Sequence, residues 1–111
     1  MTPACCRDTP EPPYYAVIFS SSRTEGGGSY AAVADRMLQL AAEQAGFLGA
    51  ESARSDSGFG MTVSYWKTAE AIAAWKQHPE HKAAQECGKR GWYSEYQVRI
   101  SRVERAYSEI R

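Results

Sequence analysis

No charge of either sign dominates this chain. Its 13 Lys and Arg residues balance 13 Asp and Glu, and the basic ones are scattered through both halves, which argues against a nucleic-acid surface. Long apolar runs are missing too. None approaches membrane length, and the N-terminus lacks the charged-then-apolar layout of a secretory signal, so a soluble cytoplasmic domain without a membrane partner is the expectation. Cysteine is scarce: Cys5, Cys6 and Cys87 make an odd count with neither metal-ligand spacing nor a disulfide framework. Histidine is scarcer still. His78 and His81 straddle Pro79 with only Glu80 and Glu86 near them, and a metal site would need further ligands. The three glycines at 26 to 28 have no Gly-Lys-Ser or Gly-x-Gly-x-x-Gly frame opening into a helix. A plain flexible connection is therefore expected there, not a phosphate cradle. No cofactor and no metal are expected.

Proline is unevenly spread, with four of the five in the first 13 residues, MTPACCRDTPEPP. Such a segment has little to bury against its ordering entropy and is expected to be a disordered tail. The remaining chain, 43% hydrophobic overall, suffices for one domain with one core, placed at residues 14–107 with a short C-terminal tail at 108–111.

What is present reads as alternating strands and helices. YYAVIFSS is rich in aromatic and β-branched residues, with Tyr15, Val17 and Phe19 on one face and Tyr14, Ala16 and Ile18 on the other. Two apolar faces predict a central strand. Ser29 is a plausible N-cap for YAAVADRMLQLAAEQAG, whose Tyr30, Val33, Met37, Leu40, Ala41 and Gln44 recur at helical spacing, and Gly46 is expected at its C′ position. FLGAESAR and the alternating FGMTVSYW predict a hairpin closed by Ser55-Asp56-Ser57-Gly58. Thr68 should cap the helix AEAIAAW, Pro79 should break it, and a second piece should restart at Pro79 and run towards Gly88 or Gly91. YSEYQVRISRVERAY alternates again, with Tyr96, Val98 and Ile100 on one face, and predicts a long last strand.

The fold class is therefore α+β, the ferredoxin-like β-α-β-β-α-β arrangement with a four-stranded antiparallel sheet, both helices on one face and the second helix broken at Pro79. The second sheet face, assigned Ile18, Thr62 and Trp66, is too apolar to stand in water, which predicts a homodimer with its sheets face to face.

The run Tyr15-Ala16-Val17-Ile18-Phe19, then Gly46-Phe47-Leu48-Gly49, then Tyr65-Trp66-Lys67 and the helix Glu70-Ala71-Ile72-Ala73-Ala74-Trp75, resembles the antibiotic biosynthesis monooxygenase domain family over residues 14–105. The resemblance implies a dimeric α+β barrel with a pocket between sheet and helices. It also implies oxygenation of small aromatic or quinol-like substrates without metal or flavin. In members that oxidise polyketide aromatics, a pocket tryptophan falls at Trp66, an asparagine at Thr62 and a helix tyrosine at Ile72, so one of the three is kept. In the haem-degrading branch the helix tryptophan matches Trp75, but the haem-ligating histidine falls at Gln85 and the strand asparagine has no counterpart, which argues against haem degradation.

The expected substrate pocket is thus Trp66, Thr62, Ile72 and Trp75, with His78 or His81 as the base near neutral pH. Trp66 and Trp75 read equally well as core, since large aromatics stabilise any fold of this size. Arg23 and Arg99 read as solvated charges. Two functions stay open: a cofactor-independent monooxygenase, and a non-catalytic small-molecule binder or scaffold dimer on the same fold.

Overall fold

A computed structural model describes residues 9–23, 30–87, 91 and 93–109. Cys5, Cys6, the Gly26–Gly28 loop, the expected Ser29 cap and the side chain of Cys87 lie outside the described residues. Along the chain come β1 (Tyr14–Arg23), α1 (Tyr30–Ala42), β2 (Phe47–Arg54), β3 (Phe59–Trp66), α2 (Ala69–Lys76), α3 (Pro79–Cys87) and β4 (Tyr93–Val103). The sheet order is β2-β3-β1-β4, and every pairing is antiparallel. This is the expected ferredoxin-like arrangement, with the broken helix resolved into α2 and α3.

Strand β1 is central, as two apolar faces require. Register then decides what each face carries, because directly opposed residues of an antiparallel pair share a face. Tyr15 opposes Trp66, Phe19 opposes Thr62 and Ile18 opposes Val63. The expectation that Ile18, Thr62 and Trp66 lie together on the second face is therefore corrected. Trp66 and Thr62 share the face of Tyr15, Val17 and Phe19, while Ile18 and Val63 lie on the other. The helices cover the first of these faces: Ala41 of α1 and Ile72 of α2 pack with Trp66, and Tyr15, Val17, Phe47, Ala71 and Trp75 surround them.

Helix α1 ends at Ala42, four residues before Gly46. Its last carbonyls are met by a tightened turn, in which the amides of Glu43 and Gln44 donate to Leu40 and Ala41 at 3.1 and 3.0 Å. Gly46 is thus not the C′ residue but the left-handed joint, at φ 85°, that leads into β2. The hairpin turn is as expected, with Gly58 at φ 94° and its amide donating to Ser55 at 3.0 Å.

Thr68 stands at φ −139° and ψ 157°, and its Oγ1 accepts the Ala71 amide at 3.0 Å. Thr68→Ala should lower stability by about 1 kcal/mol, read as a shift in urea midpoint with an unchanged slope. Strand β4 stops at Val103 instead of running on through Tyr107. Val103 pairs with Tyr14, the first residue of β1, so beyond it the neighbouring strand offers no ladder. At the same end of the sheet, Thr9 Oγ1 donates to Tyr14 Oη at 2.8 Å, so the N-terminal segment touches the sheet at that point.

Candidate functional site

The helix-bearing face holds a line of rings. Trp66, 1% exposed, ends β3 and meets Phe47 edge-on at 5.2 Å. It lies near parallel to Trp75 at 6.4 Å and 27°, and Trp75 in turn stacks on His81 at 4.6 Å and 26°. The indole N–H of Trp66 donates to Ser64 Oγ at 2.9 Å. That bond accounts for a serine on an otherwise apolar stretch, since a buried Trp N–H needs an acceptor.

The two histidines serve different ends. Pro79 has no N–H, so the first amide of α3 in need of an acceptor is that of Glu80, and His78 Nδ1 accepts it at 3.2 Å. His78 is the N-cap of α3. It is further tied down by its own amide, which donates to the Trp75 carbonyl at 3.0 Å, and by its carbonyl, which accepts from Lys82 at 3.0 Å. Its ring also lies 5.4 Å from that of Trp75. His81 is held differently: its Nδ1 is buried without a hydrogen-bond partner. Burial pushes its proton affinity below the usual histidine range, and the charges of His78 and Lys76 push the same way. The backbone of Lys76 and Trp75 pulls in the other direction without reversing the result. His81 is a neutral imidazole at neutral pH, held between the face of Trp75 and the backbone of Lys76 and Trp75.

Of the expected pocket residues, Trp66, Ile72 and Trp75 come together with both histidines. Ile72, 8% exposed, belongs to the core and offers no polar atom. Thr62 stands apart, four residues up β3 from Trp66, or about 13 Å. It faces Phe19 and is half-buried.

Beyond the helices, the same face of the sheet is open. Val98 opposes Phe19 and Ile100 opposes Val17, yet Tyr96, Val98 and Ile100 remain 43%, 47% and 57% exposed. An apolar strip therefore runs along β4 from the core. It ends in three rings: Phe19 stacks on Tyr96 at 5.8 Å and meets Tyr93 edge-on at 5.4 Å. Strict alternation would put Tyr93 and Tyr96 on opposite faces. A bulge between Ser22 and Arg23 pairs Arg23 with Tyr93 and skips Ser94, which turns Tyr93 onto the face of Phe19. No residue of YSEYQVRIS announces that bulge.

Among the described residues are two further concavities, the second of which reaches the strip at Tyr96. One of about 220 Å³ lies between α1 and α3, lined by Val33, Met37, Ala83 and Ala84 beside the Arg36–Glu80 pair. Another of about 320 Å³ lies where β1, β3 and β4 meet, lined by Ser20, Ser22, Phe59, Glu95 and Gln97 among others. None of Trp66, Thr62, Ile72 and Trp75 lines either one. On the face away from the helices, burial and then the Glu51 carboxylate, which accepts from the Tyr65 hydroxyl at 2.6 Å, push that phenol up to about 12. Tyr65 is a fixed donor there, not an acid. Among the described residues, no helix is long and apolar enough to cross a membrane.

Sheet order, helices on one face and a ring stack beneath the second helix define a ferredoxin-like domain with an exposed apolar strip on its helix-bearing side. Residues 13–86 match the antibiotic biosynthesis monooxygenase family, and the chain belongs to it. YqjZ of Bacillus subtilis, described as uncharacterised, is 55% identical over 97 residues, covering 87% of this chain and 85% of that one. Among solved structures, a mutant of SnoaB, a cofactor-independent oxygenase from Streptomyces nogalater, superimposes with a TM-score of 0.75 at 11% identity, over 86% of this chain and 98% of that one. A conserved protein from Methanosarcina mazei superimposes at 0.72 with 9% identity, over 80% and 91% of the two chains. At these identities the structural likeness speaks for the fold.

Proposed function

We propose that this chain is a cofactor-independent monooxygenase that oxidises a small aromatic or quinol-like substrate between the open sheet face and the helices. The observation that carries the reading is the apolar strip of Tyr96, Val98 and Ile100, exposed on the same face as the Trp66–Trp75–His81 stack, in a chain of this family. A flat electron-rich molecule gains burial on that strip, and His81 is the base. A neutral imidazole and its place beside Trp75 support that role, whereas the Nδ1 of His78 is already engaged in capping α3. Removal of a substrate proton leaves an anion rich enough in electrons to reduce oxygen itself. At a ring CH2 flanked by aromatic rings, one oxygen atom becomes the new carbonyl and the other leaves as water with the two hydrogens. The protein supplies orientation, a base and exclusion of water.

Oxygen uptake with a naphthoquinol or an anthrone should exceed the background rate and level off by neutral pH. It should fall by about a hundredfold in His81→Ala. A second reading is favoured by the closure of Trp66 and by an apolar Ile72: a non-catalytic binder of small aromatic molecules. Saturable quenching of tryptophan emission by such a compound, with no oxygen uptake at any pH, would decide for the binder.

The same reading includes a homodimer. Phe59 and Met61 are exposed on the face away from the helices, and a second copy applied there about a two-fold axis would cover both. Sedimentation at micromolar concentration should give twice the chain mass of 12.3 kDa; a stable monomer would sink the dimer.

A further inference from the structure

We propose that Glu95 and Arg99 set the register in which two copies of this chain meet through the sheet face away from the helices, with each Glu95 over Arg99 of the other copy and the two-fold axis crossing the strands at the row of Met61, Ser20 and Gln97. The inference rests on the dimer proposed above and adds which residues meet in it. One end of that face is closed within the chain. Tyr14, 5% exposed, meets Tyr65 edge-on at 5.9 Å and accepts from Thr9, and Tyr65 in turn is tied to Glu51. The other end is open. There Phe59 and Met61 are 49% and 41% exposed, and Ser22 and Ser20 of β1 separate them from Glu95 and Gln97 of β4. The concavity of about 320 Å³ lies at this end, where the serines are smaller than their neighbours and leave room for side chains of an opposing face.

A two-fold contact sets a surface against itself, so its charges restrict where the axis can run. Among the described residues, the charged side chains that the register places on this face are Glu51, engaged by Tyr65, and the exposed Glu95 and Arg99. An axis along β4, or across the strands at the row of Glu95 or of Arg99, stacks like charge on like. An axis along β1 lays β4 of one copy over β3 of the other and seats Glu95 on Phe59 and Arg99 on Val63, which buries charge against apolar side chains. An axis across the strands at Gln97 does neither. It turns the strands of the second copy antiparallel to those of the first, so a residue two places before the row lies over the one two places after it. Glu95 then faces Arg99, Phe59 faces Val63, and Met61 faces its own copy. The usual inclination of about 30° between packed sheets displaces such pairs by only a few ångströms so near the axis. Arg99 is already held toward that row, since its Nη2 donates to Gln97 Oε1 at 2.7 Å. The apolar side chains supply the attraction. The ion pairs add little to it; their effect is to select this axis over the others.

Sedimentation equilibrium and native mass spectrometry on the full chain test the register. Glu95→Arg makes both positions positive in both copies, and Arg99→Glu makes both negative, so each alone should weaken the dimer by about tenfold or more. The double variant, Glu95→Arg with Arg99→Glu, should regain the wild-type affinity. An equimolar mixture of the two single variants should form heterodimers in preference to either homodimer. The proposal is overturned if the single variants dimerise as tightly as wild type, if the mixture shows no preference for heterodimers, or if the double variant stays as weak as the singles. Should a single variant not fold by circular dichroism, Gln97→Lys decides, because it sets like charges together on the axis itself and must weaken the dimer. A wild-type chain that is monomeric at micromolar concentration removes the dimer, and the register with it. A wild-type dimer that the charge variants leave intact and Val98→Lys abolishes is joined through the strip of β4, which overturns the register alone.

Discussion

Trp66→Ala should destabilise the domain by about 3–5 kcal/mol, a large share of the roughly 5–15 kcal/mol that holds an ordinary domain folded. The ring is 1% exposed, the most completely buried large side chain described, and it joins the sheet to both α1 and α2 through Ala41 and Ile72. Truncation would leave a void bounded by Phe47 and Trp75, whose rings are held at fixed angles to it and cannot collapse without leaving their own neighbours. Trp66→Phe refines the expectation. It keeps most of the volume but strips the hydroxyl of Ser64 of its indole donor, a loss of about 1–3 kcal/mol. Urea unfolding followed by circular dichroism gives both values. A Trp66→Ala variant within 1 kcal/mol of wild type, roughly the level of a surface change, would show that the rings do not carry the core.

Gly46→Ala is the second large effect expected, and its cause is different. At φ 85° a non-glycine residue carries a strain of about 1–2 kcal/mol. A methyl group there would also lie 2.7 Å from Ala71 Cβ, inside van der Waals contact, at a further cost of about 1–3 kcal/mol. Neither group can yield easily. The Gly46 carbonyl accepts the Lys67 amide at 2.7 Å, which fixes the turn against the end of β3, and Ala71 lies in the first turns of α2. The two parts separate in a double-mutant cycle. Ala71→Gly in the Gly46→Ala background should recover the clash but not the backbone strain, after allowance for the cost of Ala71→Gly alone. Full recovery would mean that the φ is relaxed at no cost; no recovery would mean that the turn moves away from α2.

Gly46 also illustrates what can be read from a chain of letters. A glycine after an amphipathic run suggests a helix stop, and one is near, but the run closes on itself at Ala42 and the glycine is needed for something non-local, the approach of α2. Period-two alternation, the Thr68 cap and the break at Pro79 were legible because each is a local rule acting within one turn or one strand. Assigning Trp66 to a face was not, because alternation separates two sets of side chains without saying which set meets the helices. Only the register of β1 against β3 decides that. Tyr93 was hidden by a bulge with no signature of its own. The two histidines look alike in the sequence, three residues apart beside one proline, and the structure divides them: His78 supplies the cap that Pro79 makes necessary for Glu80, while His81 turns onto Trp75.

The sheet order has a bearing on how the chain comes to be folded. Strand β1 lies between β3 and β4, so the first strand made is bonded along one side by the last, Tyr14 meeting Val103. While the chain is still being synthesised, β1, β2 and β3 can assemble with their helices, but one whole edge of β1 stays bare until the last strand leaves the ribosome. Closing that distance makes the final pairing the most entropically demanding step. Until it occurs, the row of Val17 and Phe19 is exposed beside an unpaired backbone. The nascent domain is at its most prone to aggregate in that interval, and a truncation that removes β4 should yield insoluble protein, not a smaller stable fold.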